Sequence, residues 1–222
     1  MQNRFSTTSS GFRIPFKENI LLKLISGCFL LIWAWTFFTT PEIDNWFLEN
    51  FLVFIFLGLL IFTYRRFQFS DLSYLFIFIY LCMHIYGAKY TYALNPFGFW
   101  LRDLLHTERN LYDRIVHYSF GLMLAYPMRD YFKNWFNWPV WVCWVLPIEI
   151  TLSFSCLYEL IEWGVADIMF PEQGMDYLGT QGDVWDAQKD MFCAFCGAVT
   201  ITILMILIRK FFFSKLINKS NT

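Results

Sequence analysis

Three short segments of an otherwise apolar chain carry ionisable residues at spacings that could hold a cation or relay a proton. In YDRIVH, Asp113 and His117 stand four apart, so on a helix they share one face. In YELIEW, Glu159 and Glu162 are three apart and share a face in the same way. In GDVWDAQKD, Asp183, Asp186 and Asp190 recur at i, i+3 and i+7, again one face if the segment is helical. Together with His84 they form a mixed imidazole and carboxylate set, which suits zinc, or manganese where oxygen ligands dominate. The candidate metal ligands are His84, Asp113, His117, Asp186 and Asp190. Glu159 and Glu162 are candidate general bases, and Arg114 completes the candidate catalytic group.

Such residues matter only if the elements that carry them bring them to one place. The chain has 222 residues, of which 57% are hydrophobic, 22% aromatic and 16% charged. Soluble domains carry roughly 25% charged residues, and a core of this length could not hide so much Phe, Trp and Leu. The long apolar runs approach the ~20 residues that cross a bilayer, which makes this an integral, multi-pass membrane protein. A net charge of −1 with no basic block gives no footprint for nucleic acid.

Spans are expected near 20–38, 47–64, 71–87, 111–127, 147–166 and 190–208, forming a single all-α membrane domain over 1–222. The first follows Arg4, Arg13, Lys17 and Lys23 and lacks a small-x-small cleavage pattern, so it reads as an uncleaved span. Pro147 followed by Glu149 reads as a helix start. The Trp residues before it, at 135, 138, 141 and 144, suit a segment lying along the interface. Lysine and arginine set the orientation. Arg65 and Arg66, Arg129 and Lys133, and the Arg209, Lys210, Lys215, Lys219 group fall on the same side as the basic N-terminal segment. Six spans then put both termini in the cytoplasm. The loops at 88–110 and 167–190 face outward, and loops of such length often pack as lids.

Depth is the main signal. Counting ~1.5 Å per helical residue from each cytoplasmic end puts His84 about 20 Å up, and His117 and Glu159 about 18 Å up. Asp113 and Glu162 lie one turn further out, and Asp190 closes the top below Asp186 and Asp183. Ionisable groups inside a bilayer face the bundle interior and find partners, so these residues predict a cup open to the outside. Plainer roles compete at each position. Asp183 could simply cap a helix, a lone His84 could simply hydrogen-bond a neighbour, and Glu159 could pair with Arg114. The six cysteines lie in or beside apolar runs, with no disulfide expected, and Cys193-x-x-Cys196 reads as small packing residues.

The segments HIYGAKYTYALNPFGFW, RNLYDRIVHYSFG, YELIEWGVAD and LGTQGDVWDAQKDM together resemble the YjdF family of bacterial inner-membrane proteins. More distantly, D-R-x-x-H at 113–117, the Glu159/Glu162 helix and W-D-x-x-x-D at 185–190 are similar to VanZ-like membrane proteins. The resemblances imply a helical membrane fold and, through the second, an association with the envelope or glycopeptide resistance. Neither implies a reaction.

Three functions fit these readings. One is a metal-dependent enzyme acting on an envelope lipid or lipid-linked substrate. Another is a proton- or ion-coupled transporter, disfavoured by the lack of an inverted repeat or paired broken helices. The third is a non-catalytic structural or partner-binding protein whose polar cluster is an ion-pair network.

Overall fold

The computed structural model describes residues 14–169 and 180–220, with only the backbone described for Met169 and for 212–220. Arg4, Arg13 and the loop residues 170–179 lie outside the described residues, and the side chains of Lys215 and Lys219 are likewise not described. Among the described residues every regular element is helical. The order is α1 (Ile20–Thr39), α2 (Ile43–Thr63), α3 (Asp71–Lys89), α4 (Pro96–Leu105), α5 (Tyr112–Asn134), α6 (Val140–Gly164), a π turn over Val165–Met169, and α7 (Asp186–Ser220). Helices α1, α2, α3, α6 and α7 are long and apolar enough to cross a bilayer.

Helix α5 is the exception, and packing explains it. Its composition falls below that of the other long helices, yet it packs against α7, α3 and α6 and so forms the centre of the bundle. A helix shielded from lipid on several sides can carry polar residues that a lipid-facing one could not. At 23 residues it is about 35 Å long, enough to traverse the hydrocarbon.

The tightest seam joins α5 to α7. A Cβ at Gly121 would collide with the carbonyl oxygen of Ala194, and one at Gly197 with that of Tyr118. Ala125, Ala194 and Ala198 are buried along the same seam. Small residues let membrane helices approach backbone to backbone, where van der Waals packing drives their association. The seam therefore sets the register that brings Arg114 of α5 level with the aspartates of α7.

Local signals fix the helix starts. Asn19 accepts a hydrogen bond from the Leu22 amide (3.0 Å) and starts α1. Asn95 accepts from the Phe97 and Gly98 amides and precedes Pro96, the first residue of α4. Helix α4 exposes Phe97, Trp100, Leu104 and Leu105, an i, i+3, i+7, i+8 stripe suited to an interface.

Helix α6 departs from the expectation. It begins at Val140 and runs through Pro147 without a break, so Pro147 is not a helix start and Trp141 and Trp144 belong to the helix itself. Proline is tolerated inside membrane helices because neighbouring helices and polar side chains satisfy the carbonyl it strands. Helix α7 also starts earlier and extends further than 190–208.

Candidate functional site

At one end of the bundle, where α2, α5 and α7 begin and α3 and α6 finish, five helices and two loops contribute ionisable groups. Asp113 and Arg109 stand at and just before the start of α5, their side chains 3.7 Å apart. Arg114 reaches across the seam to α7 and the loop before it. Its guanidinium pairs with Asp186 (2.5 Å), Asp183 (3.3 Å) and Asp190, and it also donates to the Asp186 carbonyl (2.9 Å). Arg109 joins the same Asp186 carboxylate (2.6 Å) and donates to the Thr180 carbonyl (2.8 Å). The plainer role open to Glu159, a pair with Arg114, is not the one seen: Arg114 pairs with Asp183, Asp186 and Asp190. Asp186 carries two arginines on one oxygen, which leaves it poorly placed as a metal ligand.

The aspartate spacing works differently from its helical reading. Asp183 lies ahead of α7 and its carboxylate accepts from the Trp185 amide (3.1 Å) and the Lys189 ammonium (2.7 Å). The Lys189 hydrogen bond, followed by that from Trp185, holds its carboxyl below the usual carboxylate range. Asp183 is thus a turn cap that also touches Arg114.

Below this arginine layer sits a set with too few donors. His117 Nε2 stands 3.5 Å from Asp113 Oδ1 and 3.6 Å from Glu159 Oε1. Asp190, only 2% exposed, has one oxygen on Arg114 and its Oδ1 without a hydrogen-bond partner. Glu159 Oε1 is buried and equally unpartnered. One ligand atom from each of Asp113, His117 and Asp190 lies within 4.8 Å of the others. Donors held 2.0–2.1 Å from a tetrahedral zinc stand about 3.3 Å from one another, close to the two histidine–carboxylate separations. Asp113, His117 and Asp190 are therefore the residues that could hold a divalent cation, with Glu159 Oε1 beside them.

His84 lies outside that set. Its Nε2 must donate to the Glu49 carbonyl (3.1 Å), since a carbonyl only accepts, and its Nδ1 then accepts from the Tyr92 hydroxyl (2.6 Å). Both ring nitrogens are used, so the metal-ligand expectation for His84 gives way to a structural role. Tyr92 reaches it from a strained turn in which Thr91 and Tyr92 both take left-handed backbone angles (φ 50° and 49°). Gly87 makes room, because a Cβ there would strike the Tyr92 ring.

Glu49 of α2 was not among the expected residues. It is buried, and its Oε2 accepts from the Tyr158 hydroxyl of α6 (3.0 Å). Glu162 adjoins the same tyrosine and lies near Glu49, Glu159 and Asp113 as well. Counting up from Arg65 places Glu49 about 16 residues, or ~24 Å, above the far end of α2, so the same depth argument reaches it. Arg109 was also missed, although it is four residues from Asp113.

The loops hold the layer in place. The Gln181 side chain exchanges hydrogen bonds with the Asn110 backbone (2.9 and 3.2 Å), and Asn110 Nδ2 donates to the Asn95 carbonyl (2.9 Å). The described parts of both long loops are thus tied together at Arg109 and Asn110.

Beneath the cup, a cavity of about 420 Å³ extends between α2, α3, α5 and α6. Its polar end carries Asp113, His117, His84, Tyr92 and Tyr158, and the rest of its wall is almost wholly apolar.

Comparison with known proteins accords with a membrane bundle. The family described as "Predicted membrane protein (DUF2238)" matches residues 21–211. The chain is 36% identical over 192 residues to the inner membrane protein YjdF of Escherichia coli (strain K12), covering 84% of this chain and 89% of that protein. No solved structure matches. The likeness to VanZ-like proteins stands only on the polar positions that carry it.

Proposed function

We propose that this chain, which belongs to the DUF2238 family of predicted membrane proteins, binds a divalent cation in its cup and acts on an envelope lipid or lipid-linked substrate. The observation that carries the reading is the position of His117 Nε2 between Asp113 Oδ1 and Glu159 Oε1, with an unpartnered Asp190 oxygen beside them. One buried and two half-buried carboxylates around one imidazole are costly in a membrane without a compensating charge. The arginines supply only part of it: Arg114 pairs with Asp190 and Arg109 stands 3.7 Å from Asp113, but both are shared with Asp186, and Glu159 Oε1 and Asp190 Oδ1 keep no hydrogen-bond partner.

Asp113, His117 and Asp190 would hold the ion, and bound there it would supply a Lewis acid and a lowered water pKa. Glu159 is the group best placed to take a proton from an attacking water or hydroxyl, since its Oε1 faces His117 and has no competing hydrogen bond. Arg114 and Asp186 position Asp190 rather than reacting. The reaction class is hydrolysis or transfer at a phosphoryl or acyl centre.

The same reading places the cup on the extracytoplasmic side of the inner membrane, the location named for the Escherichia coli relative. Central packing of α5 favours counting it as a sixth crossing, and the basic residues at 65–66, 129–133 and 209–210 then share the cytoplasmic side. Reporter fusions after Arg66 and Lys133 should read cytoplasmic, and a periplasmic signal at either would overturn the orientation.

Elemental analysis tests the cation directly. Protein purified without chelator, after zinc and manganese have been offered in turn, should retain close to one equivalent of one of them. His117→Ala should retain none while eluting as the same folded species. Metal-free wild-type protein from both preparations would sink the reading and leave the cluster as a proton relay.

A further inference from the structure

The cup's chemistry needs a substrate to reach it, and the cavity below offers a route that water would not choose. Helix α2 packs on α3, and α6 packs on α5 and α7, while α2 and α6 meet at the Tyr158–Glu49 hydrogen bond and are separated below it by the cavity. The gap between them is lined by Leu52, Phe56 and Leu59 from α2 and by Phe154, Leu157 and Ile161 from α6. Leu59, Phe154 and Leu157 are about half exposed even as they line the cavity. The cavity is therefore a slot open on the side of the bundle.

Both flanking helices are candidate membrane spans, so the medium outside the slot is hydrocarbon. Protein interiors are close-packed and rarely leave voids larger than a water molecule. A volume of about 420 Å³ falls within the range of built ligand sites, 300–1,000 Å³. Its lower end reaches Leu124 and Met128, well down α5, and its upper end reaches His117 and Asp113. An apolar slot of this length with a polar head suits a ligand that is itself a chain with a head. The Tyr158–Glu49 hydrogen bond ties α6 to α2 near the polar end, so entry must be sideways, below that tie.

We infer that the slot between α2 and α6 binds one acyl chain of a bilayer glycerophospholipid, entering laterally, with its headgroup presented to Asp113 and His117. Commitment to a glycerophospholipid follows from the geometry: the slot lies open within the bilayer, where such chains are the solvent. The inference rests on the reading of the cup as the reaction site only for the headgroup's role. The chain site itself stands without a metal.

The test uses full-length protein in bilayer nanodiscs doped with a phosphatidylethanolamine carrying a photoactivatable diazirine midway along one acyl chain. After illumination, peptide mapping should find the label concentrated at residues 52–59, 120–128 and 154–161. Leu157→Trp, which fills the mouth at a half-exposed position, should lower that labelling at least fivefold. Leu204→Trp, on a lipid-facing part of α7 outside the slot, should leave it unchanged. Metal content measured on the same preparations separates the two claims. Leu157→Trp should keep its metal while losing the label, and His117→Ala should keep the label while losing its metal. Labelling spread evenly over all lipid-facing helices, or unaffected by Leu157→Trp, would overturn the inference. So would a diazirine polyprenyl phosphate labelling the slot where the phospholipid does not.

Discussion

The two ends of α5 both bury a carboxylate, and they treat it in opposite ways. Away from the cup, Asp130 accepts from the Ser70 amide (2.8 Å), the Ser73 hydroxyl (2.9 Å) and the Asn134 side chain. Ser70 in turn caps α3 through the Ser73 amide (3.3 Å). Both Asp130 oxygens accept hydrogen bonds there, and the result is a staple between α3 and α5. At the cup, Asp113, Glu159 and Asp190 surround His117 with more acceptor oxygens than donors, and two of those oxygens have no partner. A satisfied buried carboxylate is architecture, whereas an unsatisfied group of them needs something the chain does not provide. Burial alone would not have separated the two, since Asp130 and Asp190 are similarly enclosed.

Substitutions at the two ends should diverge accordingly. The largest effect is expected at His117→Ala, with complete loss of bound metal but metal-free stability in detergent within about 1 kcal/mol of wild type. Collapse of the fold on this change would make the cup a staple like the other end and dissolve the contrast. Asp130→Ala should do the reverse. Stranding the Ser70 amide and the Ser73 hydroxyl should cost about 3 kcal/mol in equilibrium unfolding, with metal per folded molecule unchanged. A smaller effect is expected at Tyr92→Phe, which removes the donor to His84 Nδ1. About 1 kcal/mol of stability should go, without metal loss, and metal loss there would return His84 to the site.

The smallest effect is a pH dependence at the rim. Because the Asp183 carboxyl titrates below its ordinary value in the folded protein, its contribution is present above that ordinary value and disappears as pH falls through the lowered one. The stability difference between wild type and Asp183→Asn should therefore shrink as pH falls below the ordinary aspartate range. Added salt should weaken it at every pH, since the Lys189 partner is exposed. A difference that persists unchanged at the acid end would mean that the carboxylate charge is not what holds the turn.

Much of this was legible in the residues. Counting depth along each span singled out Asp113, His117, Glu159 and Asp190, because a helix converts sequence distance into height with little error. Height says nothing about azimuth or partners, and there the reading failed. His84 has the right level, but its nitrogens are claimed by Tyr92, carried on a left-handed turn, and by a carbonyl of α2. Neither partner leaves a local mark on the sequence around His84. Glu49 stands alone in an apolar span, with no ionisable residue three or four positions away to mark a shared helical face. Pro147 misled because the rule that proline opens helices is weaker where neighbouring helices absorb its cost. The Gly121–Gly197 seam, which sets the α5–α7 register, depends on two helices far apart in the chain.

The commitment of Arg114 to Asp183, Asp186 and Asp190 also imposes an order in time. Arg114 is synthesised with α5, while all its described acidic partners arrive with the last helix. At ~5–20 residues per second, the roughly 76 residues between Arg114 and Asp190 take about 4 to 15 s to emerge. Throughout that interval the guanidinium lacks the three aspartates it pairs with in the folded protein. The nascent chain must keep α5 at the edge of the insertion machinery, or in contact with lipid headgroups, until α7 is delivered. Truncation before Asp186 should therefore yield a chain that is held back or degraded during biogenesis, rather than a stable fragment lacking one helix.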